Sequence, residues 1–205
     1  MKDAFSILSL IFLIVLSGFG CKSEKKVTDG NKPSIPNQVL EQVKTAKGSV
    51  SRGEISYTVP EGWIRQKPSS PMRHDQFLLP GLADTQPAEL AVFSGIGGSV
   101  EANLSRWYGQ FKQPDGKETK DLIKQKKIQV TGLTVTVVFL TGTFMKSRAP
   151  MMVAGSVDEF GGYALLAAIA ETEQGLWFFK ATGPEDTINH WQKSFDEFVQ
   201  SFHVD

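Results

Sequence analysis

Cysteine is almost absent from this chain: Cys21 is the only one in 205 residues. A lone thiol excludes an internal disulfide framework and any cysteine-rich zinc site. Histidine is nearly as sparse, for His74, His190 and His203 are scattered with neither an H-x-x-x-H spacing nor a cysteine partner. No metal-ligand set can be read from them. Net charge is missing too, with 22 basic residues against 22 acidic, so there is no electrostatic footprint for nucleic acid. A G-x-S-x-G elbow and a G-x-G-x-x-G fingerprint are also lacking. With these routes to chemistry removed, the chain reads as a non-enzyme without metal or cofactor.

One long hydrophobic run is present. Residues 4–20, AFSILSLIFLIVLSGFG, carry no charge and follow Lys2 and the terminal amine, the pattern of a secretory signal peptide over residues 1–20. The run ends at Leu16-Ser17-Gly18-Phe19-Gly20-Cys21, which resembles a bacterial lipoprotein lipobox, with Gly18 where that motif prefers leucine. The resemblance implies that the Cys21 thiol accepts a diacylglyceryl group and becomes the mature N-terminus. Two other outcomes fit the residues: Gly18-x-Gly20 suits ordinary signal peptidase, and an uncleaved run of about 17 residues sits at the lower edge of what spans a bilayer. Lys22 follows the cysteine. By resemblance to proteobacterial lipoproteins, the absence of Asp there implies an outer-membrane address facing the periplasm.

Residues 21–50 read as a lipidated N-terminus and flexible tether, rich in Lys, Ser, Gly and Pro and poor in aromatics. Between residues 22 and 53 stand Lys22, Lys25, Lys26, Lys32, Lys44, Lys47 and Arg52 against Glu24, Asp29 and Glu41. Such a segment suits an anionic bilayer surface or a merely solvated linker.

Residues 51–205 read as one domain, of a size that can bury a real core. Ile55, Tyr57 and Val59 alternate with polar neighbours, Pro60-Glu61-Gly62-Trp63 turns the chain, and Gln76–Leu79 and Ala88–Phe93 follow as strands. A helix opens at Ser99, its N-cap, with Val100, Leu104, Trp107, Tyr108 and Phe111 at helical spacing. Asp121–Val130 and Leu133–Phe144 form a hairpin about Thr131-Gly132, and Tyr163–Glu171 and Leu176–Ala181 form another. Between them, Lys146–Gly162 reads as an irregular loop. The last helix follows Thr182-Gly183-Pro184, with proline at the first helical position. Its apolar stripe comprises Ile188, Trp191, Phe195, Phe198, Val199 and Phe202.

The expected class is therefore α+β: a mostly antiparallel sheet of about six or seven strands packed with two helices. Tyr57–Trp63 (YTVPEGW), Arg73–Pro80 (RHDQFLLP), Ser99–Phe111 (SVEANLSRWYGQF) and Phe179–Pro184 (FKATGP) resemble segments of planctomycete-type bacterial envelope lipoproteins. More remotely, the order of elements resembles the PsbP-like sandwich and its Mog-type relatives. The resemblance covers residues 54–204 and brings no catalytic residue with it. It implies a membrane-anchored, non-enzymatic binding or assembly module with a protein partner in the envelope; the alternative is an envelope hydrolase or metal-dependent enzyme whose site is assembled only by folding.

The remaining motifs have simple packing explanations. Ser94–Ser99 leads from a strand into a helix, yet Glu101 in the first turn would repel a phosphate, so the glycines serve a tight turn. Met72, Met145, Met151 and Met152 flank loops and suit packing better than a soft metal ion. Asp158-Glu159, and Glu171 with Glu173, do not converge into an acid/base pair by spacing. The candidate binding patch combines the 145–162 connection, with Arg148, Met151 and Met152, and the residues Trp63, Met72 and Arg73. Long connections and Arg, Met and aromatic residues are both enriched where proteins recognise partners.

Overall fold

Strands buried on both faces need continuous apolar runs, and Ala164–Ala170 is such a run at the centre of this fold. The computed structural model describes residues 53–148 and 157–204. The signal peptide, Cys21, the tether, Met151 and Met152 lie outside the described residues.

Along the chain come β1 (Ile55–Ser56), β2 (Ile64–Arg65), β3 (Asp75–Leu79) and β4 (Ala88–Ser94). Helix α1 (Val100–Tyr108), β5 (Phe111–Lys112), a single 3-10 turn (Thr119–Leu122) and β6 (Lys124–Val130) follow. The long strands β7 (Leu133–Ser147), β8 (Val157–Thr172) and β9 (Gly175–Pro184) lead to α2 (Glu185–Gln200) and β10 (His203–Val204). The eight-stranded antiparallel sheet runs β2-β3-β4-β9-β8-β7, with β5 and β6 both paired to β7. Strands β1 and β10 form a separate pair. The α+β class stands, with eight strands in the main sheet where about six or seven were expected. The extra strands are two-residue segments, too short to show a period of two.

Period-two alternation divides the core into two layers. On one face, Ala164, Leu166, Ala168 and Ala170 of β8 meet Ile188, Phe195, Phe198 and Val199 of α2. Phe202 lies just beyond α2 and is still fully buried. On the other face, Leu165, Ala167 and Ile169 of β8 meet Val100, Leu104 and Trp107 of α1. Ser99 caps α1 as expected, its hydroxyl accepting from Ala102 N at 3.2 Å. Trp191 is only partly buried and donates its indole N–H to Pro80 O at 2.8 Å.

Several boundaries need correction. Helix α1 stops at Tyr108, where Gly109 ends it, so Phe111 lies in β5, and Asp121 belongs to the 3-10 turn before β6. Pro184 is the residue before α2, extended at φ −53° and ψ 139° and still paired with Tyr163 on β8. The strand needs no N–H from that position, and Gly183 before it touches β4 so closely that a Cβ would lie 2.4 Å from Ala88 Cβ. The expected loop at Lys146–Gly162 is largely strand: β7 and β8 extend past the end of β9 and stay paired to Ser147 and Val157. Charges and the pair Gly161-Gly162 hide this extension, because beyond its short pairing with β5 the arm has only two strands and little apolar face to bury. A register shift between Gly142 and Phe144 bends the arm. Gly142 permits the bend, since a Cβ there would lie 2.9 Å from Lys112 O on β5.

Candidate binding site

The described residues of the sequence-derived patch do not share one surface. Trp63 is 7% exposed and packs in the α2-side core, its ring centroid 5.1 Å from Phe198 and 6.1 Å from Phe77. Its size, not its indole N–H, places it there, for that N–H has no hydrogen-bond partner among the described residues. Arg73 lies on the opposite face, over the Phe93 ring at 5.9 Å. Met72 is exposed beside it. Arg148 is near the end of the arm, paired with Asp158 across β7 and β8. No described polar contact joins Arg148 to Arg73. Of the four described patch residues, only Met72 and Arg73 are placed side by side.

A different group converges on the α1 face. Lys180 of β9 lies between Ala91 of β4 and Ala167 of β8 in register, so its stem runs in a trough bounded by two methyl groups. Its ammonium donates to Gln110 Oε1 at 2.5 Å. The Trp107 ring at 5.7 Å and the Phe144 ring at 5.8 Å complete a cage from the end of α1 and the bent arm. Gln110 is itself held, because its carbonyl accepts from Met145 N at 2.7 Å.

Charge around this lysine is unbalanced. Burial pushes its pKa down from 10.5 to about 8, Arg73 and Arg106 push in the same direction, and Glu89 opposes them. Glu89 is already engaged: one oxygen pairs with Arg73 Nη1 at 2.8 Å, and the other accepts from Gln76 Nε2 at 3.1 Å. Arg106 donates to Asn103 Oδ1 at 2.7 Å. Among the described residues no carboxylate forms an ion pair with Lys180 or Arg106.

Two other polar features are less suited to a ligand. On the α2 side, Asp75 accepts from Tyr57 Oη at 2.9 Å and pairs with Arg65 at 2.6 Å, and the Tyr57 hydroxyl is pushed far above its ordinary range by burial and then by Asp75. This group is satisfied within itself and ties the first strands to β3. A cleft of about 180 Å³ between β6 and α2, lined by Lys124, Lys126, Phe139 and Asp196, is spanned by the Lys126–Asp196 contact at 3.2 Å. It falls below the range of about 300–1,000 Å³ of ligand pockets.

In the sequence Lys180 stands inside FKATGP with no motif that gives it a role. A signal was present, since it is the one charge inside Leu176–Ala181, in the same phase as the buried Phe178. Without the register, nothing brings Gln110, Arg106 and Arg73 to it.

No protein-family model matches the chain, and no curated protein matches it. Among solved structures, the chain is similar to PA94, a protein of unknown function from Pseudomonas aeruginosa, at 13% identity and a TM-score of 0.42 over 75% of this chain and 99% of that one. It is also similar to the cyanobacterial PsbP (CyanoP) of Synechocystis sp. PCC 6803, at 14% identity and a TM-score of 0.41 over 79% of this chain and 99% of the other. These likenesses are remote; the α+β class rests on the sheet and helices described above.

Proposed function

We propose that this protein is a lipid-anchored module of the bacterial cell envelope that binds a ligand or partner without catalysing a reaction. The observation that carries the binding part is the Lys180 cage: a partly buried cation without an ion-pair partner among the described residues, in a fold whose other strongly patterned residues are accounted for by packing. Such a charge costs the fold stability, and groups perturbed in this way cluster at functional sites. Support for the anchor comes from the sequence. The hydrophobic run ends at the single cysteine, and the quoted segments resemble planctomycete-type envelope lipoproteins. On this reading the membrane is contacted through lipid on Cys21, with the protein at the outer membrane facing the periplasm and a further partner in the envelope.

The anchor is tested by phase partition. Wild type is expected in the detergent phase, and Cys21→Ser in the aqueous phase or retained as an uncleaved precursor. Wild type in the aqueous phase would remove the lipoprotein reading.

A further inference from the structure

We propose that Lys180, Arg106 and Arg73 form a binding site for a small oxyanion, a phosphate or carboxylate group, on the α1 face of the sheet. This rests on the binding-module reading and names the chemistry of its ligand. The three cations come from three parts of the fold: β9, α1 and the segment before β3. Among the described residues the carboxylate that acts on Lys180 is Glu89, whose two oxygens are engaged by Arg73 and Gln76. The site therefore keeps an excess of positive charge.

Donor geometry suits an oxyanion as well. An ammonium has three N–H groups, and Gln110 takes one of those on Lys180. Arg106 is exposed and uses Nη2 on Asn103, which leaves the rest of its fork available. The Trp107 and Phe144 rings exclude water from one side of the ammonium, so an anion there is attracted more strongly than in bulk water. Ala91 and Ala167 stand opposite Lys180 on the two neighbouring strands and add only a methyl group each beside its stem. The carbonyl end of α1 also favours a cation at this place. Its presence leaves the pKa of Lys180 still depressed.

The test uses the full-length protein in an uncharged detergent, with thermal unfolding followed in inorganic phosphate, malonate or monomeric short-chain phosphatidylglycerol, each against sodium chloride of equal ionic strength. At several times Kd, at least one oxyanion should raise Tm by about 2–4 °C over chloride. That increment should disappear in Lys180→Gln and in Arg106→Gln and persist in Lys112→Gln, whose lysine pairs with Glu159 away from the cage. A response to phosphate or malonate alone assigns a soluble ligand, and a response to the phosphatidylglycerol alone assigns a lipid headgroup; either upholds the oxyanion class. Equal increments in wild type and both cage variants, or none in wild type, would overturn it. Crosslinking in native membranes separates this failure from failure of the broader reading. If a wild-type adduct is lost in Lys180→Gln while no oxyanion shifts Tm, the cage binds something other than an oxyanion. If the adducts of wild type and variant are identical and Tm does not move, the binding reading at this face falls as well.

Discussion

Truncating Phe195 to alanine should cost the domain about 3–5 kcal/mol, the range for removing a buried aromatic side chain from a packed core. Phe195 is fully buried on α2, its ring 6.1 Å from Phe198 and 6.5 Å from Trp63, so the deletion opens a cavity against rigid aromatic neighbours that cannot easily collapse into it. Against a total stability of about 5–15 kcal/mol, such a loss brings the variant close to unfolding at growth temperature. Lys193 supplies the control. Its side chain is 90% exposed and touches only Glu197 one turn on, at 3.7 Å, so Lys193→Ala should stay within about 0.5 kcal/mol of wild type. Urea unfolding of the two variants measures the difference. A Phe195→Ala variant as stable as Lys193→Ala would mean that α2 does not hold the core.

Lys180→Met should have the opposite sign and make the protein more stable at pH 7. A lysine whose pKa falls from 10.5 unfolded to about 8 folded carries a folding penalty on the order of 3 kcal/mol below pH 8. Between pH 8 and 10.5 the folded state has lost this proton while the unfolded chain still holds it, so the penalty shrinks as pH rises and is gone above 10.5. Methionine keeps the stem volume and the contacts with Trp107 and Phe144 without the charge. Its advantage should therefore be largest at pH 7 and narrow through that window. Arg73, Glu89 and Arg106, the charged groups acting on Lys180, are the same in both proteins, so their own titrations largely cancel in the comparison. Denaturant unfolding at pH 7 and pH 10 reads the effect. A methionine variant less stable than wild type at pH 7 would show that the charge is compensated inside the fold.

The two large-effect positions were not equally visible in the sequence. Phe195 belongs to a stripe repeated over four turns, and such repetition survives without knowledge of neighbours. Ser99 as a cap and Tyr163–Glu171 as a strand were legible for the same reason, since each depends on local chemistry or a long run. The arm of β7 and β8 was not, because Lys146, Asp158, Glu159 and the paired glycines give it the composition of a loop while its backbone pairing continues. Trp63 was misplaced because aromatic residues serve cores and recognition surfaces alike. The Lys180 cage lies beyond any local reading: its members stand at 73, 106, 107, 110, 144 and 180, and only the antiparallel register and the bend at Gly142 bring them together.

Strand β8 is thin where it matters. Ala164, Ala167, Ala168 and Ala170 put a single methyl on one face or the other, so the layers under α1 and α2 share one narrow wall. Its amides are also bonded along both edges, to β7 and to β9. Protons on that backbone therefore have no local route to solvent, and both helical layers must come away before they exchange. Deuterium uptake at residues 164–170 should follow the global unfolding free energy, while the arm beyond Gly142, flanked by β9 on neither side, exchanges through smaller openings. The clock set by this strand ties the two layers into a single cooperative unit, so damage done at Phe195 would be felt as faster exchange beneath α1.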